Sequence, residues 1–293
     1  MKINYVIATF DGICQRRHLF PEPKNVLKDH LEKLLQFENN LTQITVMKPT
    51  HSKQKIENYY ENTEHLKEKI QIIECENYGY SEGQWMKAYE LDKTFDYYLF
   101  MEDDYCPNMN NFDDILINIY KKKFPNNIGI LCSLVQGSKN YKKKKCYPIH
   151  FEGCVFVSKE TLEKLYNDPK WEKDPRKWLD LINRKIDKNY NWEGIRNTYI
   201  GGYYQLTFSH LFTLSGIEHE DYLYESVNDN KLEFPYWDDG SNKIWFYHKY
   251  DNIKHKYNLE DIINSLIIPI QLSKVEYIIQ NTDLEKIIRD IKK

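Results

Sequence analysis

Three carboxylates follow one another at Glu102, Asp103 and Asp104, directly after the apolar run at residues 97–101 (YYLFM). Adjacent anions repel, and in a partly desolvated site the repulsion is large unless a cation compensates it. A hard divalent ion does so: Mg²⁺ or Mn²⁺ takes oxygen ligands, often few of them from protein carboxylates, and completes its shell with phosphate oxygens and water. The chemistry expected of such a turn is a metal that holds a diphosphate and neutralises it as it leaves. The alternative is a plain acidic turn, or an N-cap for the helix expected near Phe112. Asp113 and Asp114 are better placed for helix-start work.

The elements around the triplet follow from periodicity. Residues 3–9 (INYVIAT), 43–47 (QITVM), 70–75 (IQIIEC), 97–101 and 128–132 read as strands. Helices are expected over 26–37, with Leu27, Leu31, Leu34 and Leu35 on one face, and over 54–69, 83–93 and 112–122. Strands alternating with helices imply βαβ units and a mostly parallel sheet, which binds ligands at the carboxyl ends of its strands. The second half is less regular. A short strand is expected at 154–157, a helix at 159–166, and a Trp-containing stretch of loop and helix over the site at 167–192. A helix at 203–214 should end at Gly216, and a late strand at 244–247 should end at His248. Residues 258–293 read as two amphipathic helices. The expected organisation is a catalytic unit over 1–257, in two halves at 1–132 and 133–257, followed by a helical tail over 258–293.

Within this frame the stretch from Tyr98 to Tyr105 resembles the D-x-D or E-D-D motif of glycosyltransferases with the GT-A fold. Residues 76–84 (ENYGYSEGQ), before a helix containing Ala88, resemble the N-x-G segment after the third strand of family 2-like members. Residues 151–157 (FEGCVFV) resemble the family's glycine-bearing strand on the acceptor side. The three matches fall in the expected order between about residues 3 and 166. The resemblance implies an α/β, Rossmann-like GT-A domain that moves a hexosyl or pentosyl group from a nucleotide-diphosphate sugar to a hydroxyl of a glycan or glycoconjugate, with Mn²⁺ or Mg²⁺ as cofactor. It also implies roles. Asp104 would be the direct metal ligand, with Glu102 and Asp103 orienting the metal's waters, the ribose or the donor sugar. Thr9 and Asp11 would meet the nucleotide, and Asn77, Gly79 and Gln84 would line the donor. His248 would return to the metal. From the residues alone, Asn77 and Gly79 equally suit a turn, His248 a structural histidine, and Arg16 and Arg17 either a diphosphate contact or surface charge.

An inverting enzyme needs a general base for the acceptor hydroxyl. In family 2-like enzymes an acidic pair opens a helix that ends at a glycine. Counting back from Gly216 gives Tyr204 and Gln205 instead. The base is then expected among Asp221, Glu220 and Glu193, each of which could also be a solvated carboxylate. Gln205 near the anomeric carbon would suit a retaining enzyme. An inverting reaction is the preferred expectation. A sugar nucleotidyltransferase shares the sheet and the metal chemistry, but would carry a glycine-rich basic loop after the first strand; residues 10–17 (FDGICQRR) hold one glycine. A dinucleotide oxidoreductase would need G-x-G-x-x-G there. A catalytically inactive sugar-binding protein on the same fold is the non-enzyme alternative.

Composition bounds the rest. With 41 basic and 44 acidic residues the net charge is −3, which provides no global field for nucleic acid. The lysines at 121–123 and 142–145 read as a helix end and a solvated loop. The six cysteines hold no C-x-x-C pair, and several sit in apolar runs, so reduced buried thiols and a cytoplasmic setting are expected. No secretory signal or membrane-spanning run is expected either.

Overall fold

The computed structural model describes residues 1–9, 26–53, 55–59, 68–103, 105–107, 109–136, 150–178, 207–209, 211–212, 215–221 and 267–269. In chain order the elements are β1 (Ile3–Ala8), α1 (Val26–Leu34), β2 (Gln43–Pro49), a 3₁₀ turn (Ile56–Tyr59), β3 (Ile70–Cys75), α2 (Tyr80–Leu91), β4 (Tyr97–Glu102) and β5 (Tyr105–Pro107). They continue with α3 (Phe112–Lys123), β6 (Ile130–Gln136), β7 (His150–Ser158), α4 (Lys159–Asn167), a second 3₁₀ turn (Pro175–Lys177), β8 (His219–Asp221) and β9 (Ile267–Pro269).

Seven strands form one sheet in the order β3-β2-β1-β4-β7-β6-β8. β1 pairs in parallel with β2 and β4, and β2 with β3. β7 runs antiparallel to both neighbours, and β8 is parallel to β6. All the strands except β7 therefore point their carboxyl ends to one edge. β1 is buried along its whole length, as a strand covered on both faces must be. Its alternate residues divide between two cores. Tyr5 and Ile7 join Leu27, Leu31 and Leu34 of α1 and Phe112, Leu116 and Tyr120 of α3. Val6 and Ala8 join Trp85 and Tyr89 of α2, Leu162 and Leu165 of α4, and Trp171, Trp178 and Phe208. The expected α/β, mostly parallel sheet flanked by helices is what the chain forms.

Several expectations need correction. α2 begins at Tyr80 rather than Gly83, because Gly79 (φ 80) and Tyr80 (φ 52) make a left-handed turn that starts the helix early. The strand expected at 154–157 is nine residues long and antiparallel. Ile267–Pro269, expected within a helix, is strand β9. It pairs antiparallel with β5, so that Tyr105 faces Pro269 and Cys106 faces Ile268. Proline is tolerated there because this two-stranded ribbon is all edge. The helix near residue 212 does close at Gly216, which has φ +63, with the Ile217 amide donating to the Phe212 carbonyl as in a Schellman cap. Cys75, Cys106, Cys132 and Cys154 are buried thiols outside any disulfide, as expected. The late strand at 244–247, most of the tail and residues 61–67 lie outside the described residues.

Candidate functional site

The register Ala8↔Glu102 brings the ends of β1 and β4 level. The ladder continues one step further, with the Asp103 amide donating to the Ala8 carbonyl at 3.1 Å. Thr9 therefore lies beside the acidic turn. Its hydroxyl donates to the Met47 carbonyl at 2.8 Å, and its amide leans on the same oxygen at 3.2 Å.

Gln84, in the second turn of α2, completes this end of the sheet. Its Oε1 accepts from the Thr9 amide at 3.0 Å, and its Nε2 donates to the Thr9 carbonyl at 3.0 Å. The carboxamide thus bonds Thr9 as an adjoining strand would. The same Nε2 donates to Asn77 Oδ1 at 2.9 Å. Three residues expected at the donor site, Thr9, Asn77 and Gln84, are joined in one network. Gln84 is buried within it, and both ends of its carboxamide bond protein partners.

Two glycines let α2 approach so closely. The Gly83 amide donates to the Gly79 carbonyl at 2.9 Å, and a β-carbon on Gly83 would stand 1.8 Å from the Tyr78 carbonyl oxygen. One on Gly79 would meet Pro175 at 2.7 Å. The turn expectation is met by Gly79, whereas Asn77 keeps an ordinary backbone. Across this turn the Arg176 guanidinium sits over the half-exposed Tyr78 ring at 5.5 Å and forms a bidentate pair with Asp174.

Glu102 closes β4, and its Oε1 accepts from the Ser81 hydroxyl at 3.1 Å. Beside it lies Glu82, which is buried in the first turn of α2. Burial pushes the Glu82 carboxyl well above the usual carboxylate range, and the charge of Glu102 adds to the rise. Glu102, at the end of the strand, offers hard oxygen donors of the kind a divalent cation takes. Among the described residues no three His, Cys, Asp or Glu side chains gather as a metal-binding group. Asp104 and His248, the other expected ligands, lie outside the described residues.

Asp103 is held from behind. Its carbonyl faces Nδ1 of the fully buried His30 at 3.1 Å, and His30 Nε2 lies 2.7 Å from the Tyr5 hydroxyl. A carbonyl can only accept, so Nδ1 carries the proton and Nε2 accepts from Tyr5. Burial lowers the His30 pKa to about 4, against a smaller raising effect of the Asp103 carbonyl. On the opposite core face the Trp85 indole donates to the Met101 carbonyl at 3.0 Å and stacks on Phe100. The acidic turn thus leaves the sheet from a backbone pinned on both sides.

The candidate bases are less closely gathered. Glu220 and Asp221 belong to β8, where Asp221 faces Cys132. Followed through Val155 to Phe100, that register ends two residues short of Glu102 and three strands away, roughly 14 Å at ordinary strand spacing. Asp11 and Glu193 lie outside the described residues, as do Arg16, Arg17 and Gln205.

Sequence reasoning missed Ser81, Glu82, His30 and Tyr5. His30 carried a signal: it falls on the helix face of Leu27, Leu31 and Leu34, where a polar side chain needs buried partners. Glu82 carried none.

No protein-family model matches the chain, and no curated protein matches its sequence. Solved structures do match in shape. Its structural neighbours include glycosyltransferases and nucleotidyltransferases. The galactosyltransferase LgtC, solved with donor and acceptor sugar analogues, is 9% identical at a TM-score of 0.46, over 75% of this chain and 74% of that one. An active-site mutant of LgtC is 12% identical at a TM-score of 0.46, over 80% of each chain. A cytidylyltransferase from Leptospira borgpetersenii is 15% identical at 0.34, over 66% of this chain and 73% of that one. These likenesses are distant, and the functional reading rests on the chain's own residues. Among the described residues no helix is long and apolar enough to cross a membrane.

Proposed function

We propose that the chain is a metal-dependent glycosyltransferase. It moves a hexosyl or pentosyl group from a nucleotide-diphosphate sugar to a hydroxyl of a glycan or glycoconjugate. One observation supports the reading: Thr9 lies beside the acidic turn and is joined through Gln84 to Asn77, at the carboxyl edge of the parallel strands, where such sheets bind ligands. In this reading residues 1–132 bind the donor, 133–257 bind the acceptor, and 258–293 form a tail.

Asp104, with Glu102 and His248, would hold Mn²⁺ or Mg²⁺, and the ion would supply positive charge against the departing diphosphate. Thr9, Asp11, Asn77, Gly79 and Asp103 would surround the nucleotide and sugar. Gln84 would support Thr9 and Asn77 from behind. Asp221 would take the proton of the acceptor hydroxyl, with Glu220 and Glu193 as the next candidates. The acceptor oxygen then bonds to the anomeric carbon, the bond to the diphosphate breaks, and the nucleoside diphosphate leaves. A single displacement of this kind inverts the anomeric centre.

The test is calorimetric titration of a panel of nucleotide-diphosphate sugars, first with Mn²⁺ and then with chelator. Binding of one donor that depends on the metal supports the assignment and names the nucleotide. If no donor binds, or if the protein instead joins a nucleoside triphosphate to a sugar phosphate, the assignment fails.

A further inference from the structure

The hydrogen bonds around Gln84 have a direction that the backbone imposes. The Thr9 amide can only donate and the Thr9 carbonyl can only accept. Both face the Gln84 carboxamide at 3.0 Å, so the carboxamide has one permitted orientation, Oε1 toward the amide and Nε2 toward the carbonyl. The second Nε2 hydrogen points at Asn77, 2.9 Å away. Asn77 must answer with its oxygen, which turns its own NH₂ group the other way. That group donates to no described residue. Asn77 is part-exposed at the carboxyl edge, two residues beyond the end of β3 and two before the left-handed Gly79.

Resting on the function proposed above, we infer that Gln84 is a positioning residue that fixes the outward end of Asn77 as a double donor, so that the ligand atom met there is an acceptor oxygen, as in a diphosphate. The NH₂ group presents only donor hydrogens, so a charged diphosphate oxygen, which accepts without donating, matches it better than a sugar hydroxyl, which must also place a proton. The specificity is set by the Thr9 main chain and conveyed through two side-chain amides. A free asparagine would present either end to whatever arrived.

The side-chain amide groups report this directly. In ¹⁵N-labelled full-length protein, with the two residues assigned from Gln84→Leu and Asn77→Asp, the Gln84 NH₂ should exchange slowly with solvent and the Asn77 NH₂ quickly. A protected Asn77 NH₂ beside an unprotected Gln84 NH₂ would overturn the inference. Inorganic pyrophosphate, UDP, GDP and free glucose are then added in turn with Mg²⁺, which is diamagnetic. Shifts of the Asn77 NH₂ with pyrophosphate or a nucleotide support the inference. Shifts elsewhere that leave Asn77 unmoved overturn it alone, as do shifts at Asn77 with glucose only. A protein that responds to no probe overturns the proposed function together with the ligand named here, while the exchange rates still decide the orientation. Asn77→Asp should weaken the nucleotide that binds by about tenfold or more, the loss expected for a charge-assisted hydrogen bond, and leave the thermal midpoint in place. Gln84→Glu offers oxygen where the amide stood, so Asn77 should invert, its NH₂ should become protected, and nucleotide affinity should fall although Asn77 is intact. If that variant folds and Asn77 stays unprotected with undiminished affinity, the positioning role is wrong.

Discussion

The two edges of the sheet carry buried polar networks of opposite character. At the amino edge the Tyr120 hydroxyl meets the Gly129 carbonyl at 2.8 Å, Ser158 Oγ at 3.1 Å and Thr161 Oγ1 at 3.0 Å. Ser158 donates to the Asn127 carbonyl and caps α4 through the Thr161 amide, while the Gly129 amide donates to Thr161. The hydroxyls and backbone groups of this cluster answer one another. At the carboxyl edge the network stops short of closing: among the described residues nothing accepts from the Asn77 NH₂. A closed network stabilises, because each buried group is satisfied. An open one is stable only where water or a ligand completes it. The same sheet therefore keeps a closed network at one end and an open one at the other.

Substitutions can break that contrast. The largest effect expected is on binding. Asp104→Ala should reduce metal-dependent donor affinity by about a hundredfold or more with little change in melting temperature, checked by calorimetry and a thermal melt. Full metal-dependent affinity in this variant would remove Asp104 from the site. Next, Gly83→Ala should cost about 3 kcal/mol of stability or more, because its β-carbon would collide with the Tyr78 carbonyl; urea unfolding measures the loss.

The third prediction concerns the support behind Asp103. His30 has a folded-state pKa lowered from 6.5 to about 4. Its neutral form is favoured in the fold, so its contribution is complete above the unfolded pKa and is lost as pH falls toward the folded one. About 3 kcal/mol should disappear between those limits in wild type, and His30→Asn should lack that slope when unfolding is followed against pH. The smallest effect is the sharpest control on the comparison. Tyr120→Phe should cost about 2 kcal/mol in urea unfolding and leave donor affinity unchanged. A loss of affinity there would mean that the two edges are coupled.

The parallel core was legible in the sequence because each of its strands is a compact apolar run bounded by turns, and the acidic triplet was legible because its charge contradicts the strand that precedes it. Direction was harder. Nothing in residues 150–158 tells an antiparallel strand from a parallel one, since both are buried and β-rich. The start of α2 was missed because a left-handed Gly79-Tyr80 pair looks like loop by composition while opening a helix. The bracing of Thr9 and Asn77 by Gln84 was not legible, because a glutamine that touches a ligand and one that braces a backbone have the same spacing from the motif. Strand β9 was hidden by the helical periodicity around it, and pairing with β5, about 160 residues earlier, overrides that local preference.

That pairing has a consequence in time. The ribbon joining Tyr105–Pro107 to Ile267–Pro269 begins at the residue after Asp104. A chain emerging from the ribosome can assemble β1 to β4 early, whereas this clasp on the acidic turn must wait until residue 269 is available. A chain that stopped short of residue 267 would own strands β1 to β4 but lack this clasp beside the acidic turn.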